Sequence, residues 1–332
     1  MQFKHFYETV KDNAKKVVVA RLNCHHQGNK KDILILSSPR SGSTWLMETF
    51  YAVPGTKYIY EPLARHTLNR LSLIGLPKRL RYANLTESEG NLMKEYLRRV
   101  DKMNLCGLTN IFSKDYDFFT NRRVIKIIRA NALVEWFAHE LEVHVVYIIR
   151  HPIPQSLSCI QRGKSKIGCW ISEYMDNDEY VKQNINKRLE RFIKKIQGTG
   201  SDFEKFVTEW CLANLIALKN MNNNKWCIIT YEELVLRYKD VINMLFKEFD
   251  IEAGKPLSLK KVIPSKTSDS SDGKTREEII KGETRFLLEK WKKNISEQQE
   301  NNVFNILQEF EIDAYKAGKF LPHKKLLHFL HE

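Results

Sequence analysis

Residues 31–50, KDILILSSPRSGSTWLMETF, constrain the fold of this chain more than any other stretch. Positions 33–36 are apolar without interruption, the pattern of a parallel strand buried on both faces. The run breaks abruptly into Ser37-Ser38-Pro39-Arg40-Ser41-Gly42, after which Trp45, Leu46 and Phe50 recur at helical spacing. A helix is therefore predicted to begin near Ser43 or Thr44. Strand, small-residue loop and helix start together aim free backbone N–H groups at an anion. The helix dipole adds partial positive charge there, and Arg40 adds a full one.

Set against the nucleotide-binding pattern GxxxxGK[ST], this loop is altered. Aligned on Gly42, Ser37 stands where the first glycine would be and Ser43 where the lysine would be. The anion cradle survives, but its cation comes from Arg40, ahead of the glycine. Positions 143–149 form a second buried strand that runs directly into Arg150. A nucleoside triphosphatase of this type usually has a magnesium-binding Asp at such a strand end. An arginine suits a second phosphate and not a metal, so no metal site is expected.

PRSGSTW followed by YIIRHPIPQSLS resembles the two signatures of the sulfotransferases that use 3′-phosphoadenosine-5′-phosphosulfate (PAPS). The plainer reading is an ordinary βα turn and an unrelated surface arginine. The resemblance covers about residues 31–310 and implies a three-layer α/β/α domain with a mostly parallel sheet, the P-loop kinase-like sulfotransferase fold. It implies that Arg40, Ser41, Gly42, Ser43, Thr44 and Trp45 hold the 5′-phosphosulfate. Arg150 and Ser158, which have the family spacing, would grip the 3′-phosphate. In TYEEL, Tyr231 matches a family tyrosine beside the adenine. Thr267 and Ser268 of PSKTS match a loop that closes over the nucleotide.

The acceptor side is read from KYIYEPL, residues 57–63, where a short strand ends at Glu61. Ligands gather outside the carboxyl ends of parallel strands, so this carboxylate should share the crevice with Arg40. The EPL resembles the carbohydrate branch of the family, in which a glutamate near this point is the catalytic base. The alternative is a Glu-Pro that merely starts a helix. Aryl-type relatives carry Lys-Thr-His on a later strand, whereas this chain has Lys126-Ile127-Ile128. The missing histidine favours Glu61 as base, and Lys126 matches the family lysine near the transferred group.

Hydrophobic content of 42% supports a substantial core, and the chain is read as one domain, 1–332. Phe3, Phe6, Tyr7, Val10, Ala14 and Val17 mark an amphipathic helix within residues 1–30, expected to pack outside the sheet. Residues 163–200 read either as a lid insertion over the acceptor or as solvated helix. Residues 253–275 lose periodicity and are expected to form a cofactor-capping loop. Six cysteines without a CxxC pair suggest reduced thiols and a cytoplasmic protein. No apolar run approaches the roughly 18 residues of a membrane span, and signal-peptide features are lacking. The net charge of +14 is spread along the chain instead of gathered into one arm, so neither nucleic acid nor membrane is expected as partner.

The resemblance implies sulfuryl transfer from PAPS to a hydroxyl, less readily an amine, of a carbohydrate or small polar metabolite. Adenosine 3′,5′-bisphosphate would be the product. Two other classes are weighed against it. An ATP-dependent small-molecule kinase would need a lysine beside Gly42 and an acidic metal ligand. A non-catalytic polyanion binder would need clustered bases.

Overall fold

The computed structural model describes residues 28–64, 85–100, 117–128, 130–161, 170–221, 225–252 and 284–323, with residues 10, 11, 14, 17, 18, 22, 24–26, 76 and 326. The expected capping loop at 253–275, with Thr267 and Ser268, lies outside these, as does 163–169 of the insertion.

Two short strands, β1 (Cys24–His25) and β4 (Phe119–Thr120), pair in parallel as a separate ribbon. Among the described residues the main sheet has five parallel strands. They are β2 (Asp32–Ser37), β3 (Thr56–Tyr60), β5 (Arg122–Ile128), β6 (Val143–Ile149) and β7 (Cys227–Thr230), in the spatial order β3-β5-β2-β6-β7. The strand read from residues 33–36 lies at the centre, buried along its whole length.

Period-two geometry sends alternate side chains of each strand to opposite faces. Leu34, Leu36, Ile125, Ile127, Val145 and Tyr147 join one apolar core. Ile33, Ile35, Val124, Val146 and Ile148 join a second one across the sheet. An unbroken apolar run in the sequence is thus the signature of a strand covered on both faces.

Helices supply the two outer layers. On the face of Ile33 lie α1 (Ser43–Tyr51) and, later in the chain, two helices that follow β7. The opposite face carries α2 (Glu87–Arg99), α3 (Val134–Glu140), α4 (Pro152–Gln161), α5 (Ile171–Met175), α6 (Asp178–Asn184), α7 (Lys187–Thr199) and α8 (Asp202–Lys219). The helices after β7 are α9 (Tyr231–Leu236) and α10 (Tyr238–Glu248), whose Leu234, Val241, Leu245 and Phe246 complete the second core. Last come α11 (Thr284–Glu289) and α12 (Glu297–Glu309). Capping boxes start α2 (Thr86/Glu89), α8 (Ser201/Glu204) and α12 (Ser296/Gln299), satisfying N–H groups that a helix end leaves open.

Two sequence expectations are refined here. Val10, Ala14 and Val17 are exposed, so the described part of the N-terminal helix does not bury the predicted face. Both faces of the sheet are already covered by other helices. In the 163–200 insertion, Ile171, Tyr174, Tyr180, Leu189 and Ile193 enter the larger core, and the Tyr180 hydroxyl donates to Leu212 O at 2.7 Å. The α5–α7 segment is thereby fastened to α8. Among the described residues, no helix is long and apolar enough to cross a membrane.

Candidate active site

All five strands are parallel, so their carboxyl ends share one edge, and the loops after β2, β3, β6 and β7 meet there. The loop after β2 turns through two left-handed residues, Arg40 (φ 68°) and Gly42 (φ 95°). Such backbone curls successive N–H groups toward a common point, a concavity suited to anions. Gly42 is the N-cap of α1, and among the described residues no side chain caps the helix. The first N–H groups of α1 therefore depend on something other than a capping side chain. Glycine is required at this position for a second reason. A Cβ on residue 42 would lie 2.5 Å from Cδ2 of Tyr231.

Arg40 joins the two motifs. Its Nε donates to Ser158 Oγ at 2.9 Å, and its carbonyl accepts from Arg150 Nη1 at 3.0 Å. The Arg150 guanidinium lies 4.4 Å over the ring of Tyr231, a cation–π contact. Arg40, Gly42, Arg150, Ser158 and Tyr231 are thus one cluster. Ser41 is fully buried, and among the described residues its hydroxyl has no hydrogen-bond partner; nor does Arg150 Nε. Buried donors without partners are uncommon in folded proteins and here sit at the same loop and arginine. This donor set, with an uncapped helix end, fits a phosphate-bearing nucleotide. Ser43 and Thr44 open α1. Trp45 stacks on Tyr238 at 5.3 Å between ring centroids, and Tyr238 OH is 2.8 Å from Thr49 Oγ1.

Glu61 and Lys126 form a second group on the same edge. Tyr60 is in register with Lys126. Just past β3 the chain turns through Glu61 (φ 50°), whose N–H donates to Lys126 O at 2.9 Å. The side chains then meet, with Lys126 Nζ donating to Glu61 Oε1 at 2.8 Å and lying 4.0 Å over the ring of Tyr60. Oε2 of Glu61 has no hydrogen-bond partner among the described residues. Ile128, in place of the aryl-type histidine, is in register with Ser37 at the start of the anion loop.

His151, next to Arg150, is not available as a base. It is buried against Trp291 at 5.0 Å and Tyr315 at 4.7 Å. Its ring donates from Nε2 to Lys319 O, while Nδ1 accepts from Ile153 N–H. Burial holds its pKa down at about 3, so the ring is neutral.

Sequence reading missed the residues that support the loop. Asn131 Nδ2 donates to Ser38 Oγ at 3.1 Å and to Tyr147 OH at 2.6 Å, and that hydroxyl donates on to Asn214 Oδ1 of α8. These positions share no local motif, and only chain folding brings them together. Among the described residues there is no group of three His, Cys, Asp or Glu side chains arranged to hold a metal ion.

Residues 30–317 match the family model described as the sulfotransferase domain. The chain belongs to that family. Its fold is the P-loop-like sulfotransferase fold, with the parallel sheet flanked by helices. Solved structures similar to this sulfotransferase-family chain include the sulfotransferase domain of the Synechococcus PCC 7002 olefin synthase. That domain is 16% identical, with 87% of this chain and 99% of that one covered and a TM-score of 0.40. The mouse sulfotransferase SULT7A1 complexed with PAP is 14% identical, covers 88% of each chain and has a TM-score of 0.41. The sulfotransferase domain from the curacin biosynthetic pathway is 16% identical, with coverages of 85% and 98% and a TM-score of 0.43. No curated protein matches the chain.

Proposed function

We propose that this sulfotransferase-family protein moves a sulfuryl group from PAPS to a hydroxyl, less readily an amine, of a carbohydrate or small polar metabolite. The observation that carries the reading is the convergence of Arg40, Arg150 and Ser158 beside the uncapped start of α1. PAPS would supply the activated sulfuryl group, with adenosine 3′,5′-bisphosphate as leaving group. Arg40, Ser41, Gly42, Ser43, Thr44 and Trp45 would hold its 5′ side, and Arg150 with Ser158 its 3′-phosphate. Tyr231 lies against both Gly42 and Arg150, as a residue beside the adenine would. Thr267 and Ser268 would belong to a loop that closes over the nucleotide.

The residues divide the chemistry between them. Loop N–H groups and Arg40 stabilise negative charge that grows on the leaving phosphate as the S–O bond to it breaks. Glu61 takes the proton from the acceptor oxygen while that oxygen bonds to sulfur. Lys126 fixes Oε1 of Glu61 and leaves Oε2 to accept the proton, and its charge lies close to the transferred group. A kinase reading has less support, because Ser43 stands at the lysine position and Arg150 at the metal-binding Asp position.

Calorimetry with adenosine 3′,5′-bisphosphate and 5′-AMP tests the assignment. The bisphosphate is expected to bind roughly 30- to 1000-fold tighter, the effect of paired charge-assisted contacts to one phosphate. Equal affinities would remove the basis for PAPS.

A further inference from the structure

Arg150 lies one residue beyond the last ladder pair between β6 and β7, Ile149 with Thr230. The sheet no longer fixes its backbone, yet its side chain must point accurately to be of use. Side chains from elsewhere do this work. The indole Nε1–H of Trp210, on α8, donates to Arg150 O at 3.0 Å. Oε1 of Glu232, on α9, accepts the N–H of His151 at 3.0 Å. The C=O and the N–H belong to the same peptide unit, so its plane is held from both sides. Glu232 is itself held, since its Oε2 accepts the hydroxyl of Tyr315 at 3.0 Å. The neighbouring residue, Tyr231, supports the guanidinium from below with its ring. The chain past α12 closes the assembly, with Tyr315 edge-on to His151 and Lys319 O accepting from the same imidazole.

A buried carboxylate is a costly way to bind one backbone N–H, and an apolar side chain would suffice for packing alone. Its use here makes sense if the direction of the adjoining arginine matters. We propose that Glu232, Trp210 and Tyr315 are positioning residues for Arg150, and that the segment after α12 thereby sets how strongly a 3′-phosphate is preferred. The proposal rests on the PAPS reading above.

The test measures binding of adenosine 3′,5′-bisphosphate and 5′-AMP to the full chain, together with urea stability. Variants are Tyr315→Phe, Trp210→Phe and the pair Glu232→Met with Tyr315→Phe, which leaves no orphaned hydroxyl. Tyr180→Phe, which loses a buried hydroxyl bond far from Arg150 in sequence, is the control. Each of the first three is expected to lower the affinity ratio of the two nucleotides roughly 5-fold or more while 5′-AMP binds as before. The control should lose stability and keep the ratio. Tyr315→Phe keeps the ring and is the variant to rely on should the others unfold. A wild-type preference that survives in Tyr315→Phe and in every other folded variant would overturn the proposal and leave the PAPS reading intact. A wild-type chain with no preference would overturn both.

Discussion

Arg123 and Arg150 stand at opposite edges of one sheet, and their surroundings differ in kind. Arg123, near the start of β5, is saturated. Its guanidinium donates to Asp32 Oδ2 at 2.8 and 2.7 Å and to Leu97 O and Arg98 O at 3.1 Å. Its backbone N–H donates to Asp32 Oδ1 at 2.7 Å. Burial, the largest single influence, raises the Asp32 carboxyl, but these contacts and the nearby His25, whose Nε2 lies 3.4 Å from Oδ1, hold it below its usual range. Arg150, just past the end of β6, meets a carbonyl and an aromatic ring, and no carboxylate lies within ion-pair distance among the described residues. One arginine is spent on the fold. The other has no ion-pair partner among the described residues.

Breaking the saturated edge should produce the largest effect. Asp32→Ala leaves Arg123 buried without its counter-ion, so stability should fall by about 3–5 kcal/mol, seen as a lower urea midpoint. Nucleotide preference of the protein that remains folded should persist, because the loss lies at the other edge. At the open edge, Arg150→Ala should do the reverse. The preference for adenosine 3′,5′-bisphosphate over 5′-AMP should drop by about 2–4 kcal/mol while the urea midpoint moves little. A large stability loss in Arg150→Ala would erase the contrast.

A smaller effect sharpens the division within the open edge itself. Glu61→Gln keeps the shape and removes the basicity, so turnover should fall roughly 10²-fold with nucleotide affinity nearly unchanged. Normal turnover in this variant would take the base away from Glu61. It would not transfer it to His151, whose ring is buried with both nitrogens already hydrogen-bonded.

The smallest effect is in pH. Burial lowers His151 to about 3 and His144 to about 4, both from 6.5, so on acidification the unfolded chain takes up protons there before the folded one does. Burial also raises Glu232 to about 7 from 4.5, which acts in the opposite sense. Between about pH 4.5 and 6.5 two groups favour unfolding as pH falls and one opposes it, so stability should rise with pH across that window. A thermal midpoint lower by a few degrees at pH 5 than at pH 6.5 is expected, with a flatter slope in His144→Phe. A midpoint that rises on acidification would show that Glu232 dominates.

Much of this was legible in the chain because it is local. The apolar run at 33–36, its break at Ser37 and the helix after Gly42 appear as β2, the anion loop and α1, within a residue or so. The strand ending at Arg150 runs over residues 143–149 as read, and the strand before Glu61 runs from Thr56 to Tyr60. Hydrophobic period and turn chemistry report on neighbours a few residues away, and these elements depend on little else.

What the tertiary structure decided is who meets whom. The family resemblance sets Ser158 beside Arg150; that its hydroxyl also accepts from Arg40 appears only in the folded chain. That Gly42 must lack a Cβ because Tyr231 packs against it is invisible until the end of β7 arrives beside the loop. The same holds for Glu232 of the TYEEL stretch, which proves buried beneath the Arg150–His151 peptide. Composition and periodicity set which elements form. Pairings between residues distant in the chain follow from strand order and helix packing, and no local pattern encodes them.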